Sequence, residues 1–113
     1  MTVVQLNSTM KECIDACMAC IQDCEYCMTA CLDGDTISSM TDCIVRCRDC
    51  ADTCSVCVRF MARQSEIHPY VCRVCAEACD RCAQECSTHD SDHCQRCAES
   101  CRKCAELCRQ MAA

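Results

Sequence analysis

Cys13-Ile14-Asp15-Ala16-Cys17-Met18-Ala19-Cys20-Ile21-Gln22-Asp23-Cys24-Glu25-Tyr26-Cys27-Met28-Thr29-Ala30-Cys31 sets its cysteines at steps that alternate between four and three residues. Three further runs repeat the pattern: Cys43, Cys47, Cys50, Cys54 and Cys57; Cys72, Cys75, Cys79, Cys82 and Cys86; Cys94, Cys97, Cys101, Cys104 and Cys108. Alternating steps of three and four trace one face of an α-helix, the inward seam of a heptad. Here every seam position is a thiol. All 21 cysteines of the 113-residue chain fall in these four runs. The pattern predicts four helices that share a core of sulfur.

The rest of the chain supports helices and punctuates them. Ala, Glu, Arg and Gln fill many outward positions, and all favour helix. Thr9-Met10-Lys11-Glu12 fits a capping box at the start of the first helix, and Gly34, the only glycine, suits a left-handed cap at its end. Ser39, with Asp42 behind it, suits the start of the second. Pro69, the only proline, suits the first turn of the third. Thr88-His89-Asp90-Ser91-Asp92 reads as a turn, with Asp90 or Ser91 capping the fourth. The expected helices are 9–33, 39–65, 69–88 and 91–111. Short joins make successive helices antiparallel. The expected fold is all-α: one domain over residues 1–113, an up-down-up-down four-helix bundle with a cysteine-lined core.

One stripe is asymmetric. The residues following the cysteines of the first helix are Ile14, Met18, Ile21, Glu25, Met28 and Leu32, mostly apolar. Those of the fourth are Gln95, Ala98, Arg102, Ala105 and Arg109. Either the first stripe widens packing against neighbouring helices, or it forms a subunit interface.

Composition excludes several classes. Trp is absent, with one Phe and two Tyr, so aliphatic and aromatic burial alone leaves a thin core. A net charge of -6, with no basic stripe or aromatic platform, speaks against nucleic acid. No apolar run is long enough to span a membrane. Met1–Glu12 shows no signal-peptide pattern, so the expected compartment is the reducing cytosol.

Thiols three and four apart on one helix are neighbours, about 5–6 Å between Cβ atoms. They can share a small soft ion, and facing helices supply further sulfur. Soft thiolates select Cu(I), zinc or iron–sulfur clusters. Zinc wants closed tetrahedra, usually from paired CxxC units on turns. Iron–sulfur ligation tends to use loop cysteines, often beside proline. An unbroken helical ladder favours many Cu(I) ions, with a zinc or mixed soft-metal buffer and a thiol redox protein as alternatives. A disulfide scaffold fits less well: the count is odd and same-face spacing suits ligation better. A disordered metallothionein-like clamp would use CC and CxC pairs, which are absent. Catalysis lacks a strand pattern and a histidine that marks one thiol as nucleophile.

Antiparallel packing sorts the remaining soft groups. Met40, His89 and His93 share one end with Cys31, Cys43, Cys86 and Cys94. Met10, Met61, His68 and Met111 share the other with Cys13, Cys57, Cys72 and Cys108. His89 and His93 could add nitrogen ligands to the ladder, or be a solvated turn. The methionines could receive Cu(I) at an open mouth, or fill gaps at a bundle end. His68 reads as a cap or surface residue.

Beyond the four ladders, Cys72-Arg73-Val74-Cys75-Ala76-Glu77-Ala78-Cys79 and the stretch from Cys86-Ser87-Thr88-His89-Asp90-Ser91-Asp92-His93-Cys94-Gln95 to Met111-Ala112-Ala113 resemble the cytosolic branch of the bacterial copper storage proteins. The resemblance covers nearly the whole chain. It implies a four-helix bundle that assembles into homotetramers and fills its core with Cu(I) on cysteine thiolates, for storage and detoxification without a catalysed reaction. The metal ligands expected are all 21 cysteines, with His89 and His93 beside them. Expected partners are copper ions, further copies of the chain, and a copper chaperone or small thiol for loading and unloading.

Overall fold

The computed structural model describes residues 7–34 and 37–113. Residues 1–6, on which half of the N-terminal signal reading falls, lie outside the described residues. Four α-helices make up the fold: α1 Ser8–Leu32, α2 Thr41–Ala62, α3 His68–Cys86 and α4 Asp92–Ala112. A short 3₁₀ turn, Ile37–Met40, leads into α2. The helices pack as a square in chain order, with α4 closing back on α1.

The thiol contacts give the direction and register of each helix. Cys13, Cys17, Cys20, Cys24 and Cys27 of α1 meet Cys108, Cys104, Cys101, Cys97 and Cys94 of α4 in turn. Cys43, Cys47, Cys50, Cys54 and Cys57 of α2 likewise meet Cys86, Cys82, Cys79, Cys75 and Cys72 of α3. Both ladders are antiparallel. The diagonal pair α2 and α4 runs parallel, Cys43 to Cys94 through Cys54 to Cys104. The bundle is therefore up-down-up-down.

Small residues flank the seam where helices approach most closely. Ala76 and Ala83 on α3, and Ala98 and Ala105 on α4, are all buried. The α1–α4 seam is bridged by Ser100 Oγ donating to Asp23 Oδ2, and the α3–α4 seam by Arg109 and Asp80 at 2.7 Å. With one flank of α1 against α4, the opposite flank turns to α2. There Ile14, Ile21 and Met28 are partly buried against the core, as are Ile44 and Val58 of α2. Most of the apolar stripe of α1 thus widens a helix–helix seam. Met18 and Leu32 remain 55% exposed.

Several helix ends differ from expectation. Asn7, not Thr9, caps α1: its Oδ1 accepts from Met10 N at 2.7 Å. Two residues upstream is enough, because an amide side chain in extended backbone reaches the same N–H group. Gly34 does not take the left-handed cap; α1 ends at Asp33, and no glycine among the described residues has positive φ. The left-handed position is Gln64, φ 53, after α2. Ser65 N donates to Phe60 O and Gln64 N to Met61 O, a Schellman closure built on a non-glycine residue. Ser39 falls in the 3₁₀ turn, so α2 starts at Thr41 behind Met40, without a side-chain cap. Ser91 occupies the cap position of α4, also without a side-chain hydrogen bond.

Candidate metal centre

Every cysteine is buried and every one is a free thiol. Cys31, at 3%, is the only one with measurable exposure. The registers stack twenty of them into five tiers of four, one thiol per helix: Cys13/Cys57/Cys72/Cys108, Cys17/Cys54/Cys75/Cys104, Cys20/Cys50/Cys79/Cys101, Cys24/Cys47/Cys82/Cys97 and Cys27/Cys43/Cys86/Cys94. A mean step of three and a half residues separates tiers by about 5 Å. Cys31 stands beyond the last tier, 4.0 Å from Cys43.

Close sulfur–sulfur contacts run both within and between tiers. Cys57 to Cys72 is 3.3 Å, Cys20 to Cys50 3.4 Å, Cys17 to Cys104 3.5 Å and Cys24 to Cys101 3.9 Å. Within the tiers Cys17/Cys54/Cys75/Cys104 and Cys24/Cys47/Cys82/Cys97, all four sulfurs lie within 4.8 Å of one another. Mixed sets drawn from adjacent tiers do so too, such as Cys20, Cys24, Cys50 and Cys101. Sulfur bound to a soft metal at about 2.3 Å has neighbours at these separations. The donors form a continuous column, so an ion is never far from the next site.

No buried polar or charged residue accompanies the thiols among the described residues, and none has an unsatisfied buried side-chain nitrogen or oxygen. The interior offers a cation sulfur and little else.

Neighbouring thiols shift one another's proton affinity in opposite directions. Cys108 is pushed far up, first through its bond with Cys104 and then through that with Cys13. Cys13, beside Cys108 first and Cys17 second, is held down at about 5. Cys72 is held at about 4 by Cys108 and Cys57, with a further pull from His68. Cys104 lies at about 7, lowered first by Cys108 and then by Cys17. At the opposite end burial, and after it the charge of Cys43, push Cys94 up to about 12. Depressed thiols are ready ligands; raised ones release a proton when metal arrives.

The two ends differ. Beyond Cys13/Cys57/Cys72/Cys108, Met10 and Met61 are 7% and 0% exposed, and Met111 packs partly buried beside the core. His68 is not among the thiols; its Nδ1 is 3.0 Å from Ser65 O, in the turn before α3. At the other end His93, the second residue of α4, places Nδ1 3.4 Å from Cys27 Sγ and 3.5 Å from Cys94 Sγ. The structure does not bring His89 to the sulfurs. Its Nε2 is 2.8 Å from Glu85 Oε2 one helical turn earlier, a charge-assisted contact that engages the ring with a carboxylate. Met40 is buried near this end as well.

A family model described as copper storage protein matches residues 6–113. An uncharacterised cysteine-rich protein of Bacillus subtilis, YhjQ, is 44% identical over 85 residues, 75% of this chain and 79% of its own. Among solved structures, the Cu(I)-bound copper storage protein BsCsp3 is 42% identical, with a TM-score of 0.89 over 94% of this chain and 100% of that one. A Streptomyces lividans copper storage protein, Ccsp, loaded with 10 copper equivalents, is 32% identical, with a TM-score of 0.91 over 99% and 92% of the two chains.

Proposed function

Because the chain belongs to the copper storage protein family, we propose that it stores and detoxifies Cu(I), many ions per chain, on the thiolates of its core. The five stacked tiers carry this reading. The ligands proposed are the 21 cysteines and His93; His89 takes part only if its ring leaves Glu85.

Charge decides between Cu(I) and zinc. One Cu(I) per thiolate leaves the column neutral. One Zn(II) per four-thiolate tier leaves each tier at minus two. Two such tiers about 5 Å apart repel by about 13 kcal/mol at an effective dielectric of 20. A water-poor interior without buried cations has nothing to offset that cost. Cu(I) also accepts two or three sulfurs, so ions can sit within or between tiers. Thiol redox chemistry uses isolated pairs, whereas these thiols are arranged in contiguous groups of four. No step in this function needs a catalytic group.

Entry is proposed at the His93 end. The opposite end is closed by the fully buried Met61, while His93 lies half-buried between the last tier and solvent. His93 would take an arriving ion and pass it to Cys27 or Cys94. Each thiol bound thereafter loses its proton to solvent. Exclusion of water and oxygen from the column would slow both escape and redox cycling. Unloading then requires a small thiol or a copper chaperone that docks at this end.

The chain is further proposed to act in the cytosol, where a Streptomyces relative is described as working. There it is proposed to form a homo-oligomer, a tetramer by family resemblance. The test is anaerobic loading of the reduced chain with Cu(I) or with zinc, followed by metal analysis after desalting. Several-fold more copper than zinc per chain is expected. Equal retention would favour a general soft-metal buffer.

A further inference from the structure

We propose that the outer corner formed by α2 and α3 is a self-association face, closed by a second copy of the chain about a twofold axis at Val56. Val56 and Val74 are 41% and 60% exposed and, with Val71, line a shallow apolar groove between the two helices. Opposite charges bracket the groove along α2. Asp49 and Asp52 precede Val56, and Arg59 and Arg63 follow it. Steps of three and four place all five on one outward stripe.

Within the chain, this stripe is not internally compensated. Among the described residues Asp49, Asp52 and Arg59 enter no salt bridge. The guanidinium of Arg63 lies over the Phe60 ring, 4.2 Å from its centroid. A partner of single sign would meet one attractive half and one repulsive half. A second α2 laid antiparallel meets neither difficulty. It sets Asp52 against Arg59 of the second copy and Asp49 against Arg63 of the second copy, twice over, and Val56 against itself. Such self-complementarity is the requirement for a twofold interface.

This deepens the homo-oligomer reading above and uses a different face from the exposed Met18 and Leu32 of α1. Two distinct twofold faces on one chain are what a dihedral tetramer needs.

The variants Asp52→Arg and Arg59→Asp each put like charges across the axis twice. Either alone is expected to halve the wild-type mass in sedimentation velocity at low ionic strength. An equimolar mixture of the two is expected to recover it, because the new arginine of one chain then faces the new aspartate of the other. Both side chains are on the surface, so helicity by circular dichroism and Cu(I) capacity should match wild type. Unchanged mass in both variants, or a mixture that fails to reassociate, overturns this face. A wild-type chain that sediments as a monomer overturns it together with the homo-oligomer reading. The copper reading is scored separately, by the capacity of the same samples.

Discussion

Among the described residues, His93 is the one histidine whose ring nitrogen the fold holds against the thiols, 3.4 Å from Cys27 and 3.5 Å from Cys94. Its place at the second residue of α4 leaves the ring between the last tier and solvent. A group there affects the rate at which ions enter more than the number the core holds. His93→Ala is therefore expected to slow Cu(I) loading several-fold in stopped-flow measurements with a coloured Cu(I) complex as donor, at near wild-type capacity. His89→Ala, which removes a partner of Glu85 alone, should leave the rate unchanged. Equal slowing by both would assign the two rings a joint role. The ring of His93 was legible in the sequence as one of a pair; the contact of His89 with Glu85 was not. That depends on a carboxylate four residues earlier, at 2.8 Å, competing for the imidazole.

At the scale of the element, spacing decided what local signals did not. The alternating three-four rhythm specifies four helices and their inward face, because only a helix turns every such position to one side. Each helix end, by contrast, rests on one or two hydrogen bonds of about 1 kcal/mol, and several residues compete for them. Thr9 with Glu12 matched a capping box, yet Asn7 makes the contact. Gly34 matched a left-handed cap, yet Gln64 occupies that conformation. Two consequences are measurable in metal-free, reduced protein by urea unfolding. Asn7→Ala should destabilise by about 1 kcal/mol through the lost cap. Gln64→Gly should stabilise by up to about 1 kcal/mol, since glycine occupies positive φ at no steric cost. A neutral or stabilising Asn7→Ala, or a destabilising Gln64→Gly, would mean that these ends are capped otherwise.

Across the whole molecule, the stacking of twenty thiols into five tiers follows from helix order and register. Neither was written in any one run. The sequence showed which side chains point inward; short joins implied the antiparallel order; the matching of Cys13 to Cys108 and Cys57 to Cys72 required the packed bundle. The apolar stripe on α1 was ambiguous for the same reason, since a seam and a surface cannot be told apart before the neighbouring helix is placed.

A core of this kind has a defined response to pH. Cys94 is raised from 9.0 to about 12, so its stabilising contribution is complete below 9.0 and is lost as pH climbs to about 12. Cys13 and Cys72, held at about 5 and 4, contribute with the opposite sign. Their stabilisation is complete above 9.0 and disappears as pH falls through those values. The metal-free bundle should thus lose thermal stability in alkali, between pH 9 and 12, and also as pH falls from 9 to about 4, with no further loss from these thiols below that. Cu(I) removes the proton from each ligand, so the loaded bundle should show a flat alkaline limb. Parallel melting curves by circular dichroism under anaerobic conditions check this. An alkaline limb as steep with metal as without would mean that the raised thiols are not ligands.

The most direct measurement is an anaerobic titration of the fully reduced chain with Cu(I), read by the ultraviolet absorbance of sulfur-to-copper charge transfer and closed with a strong Cu(I) chelator. A neutral column predicts a rise that breaks near one ion per cysteine, with bound copper that survives the chelator. A break after only a few ions per chain, or prompt surrender of the metal, would contradict it.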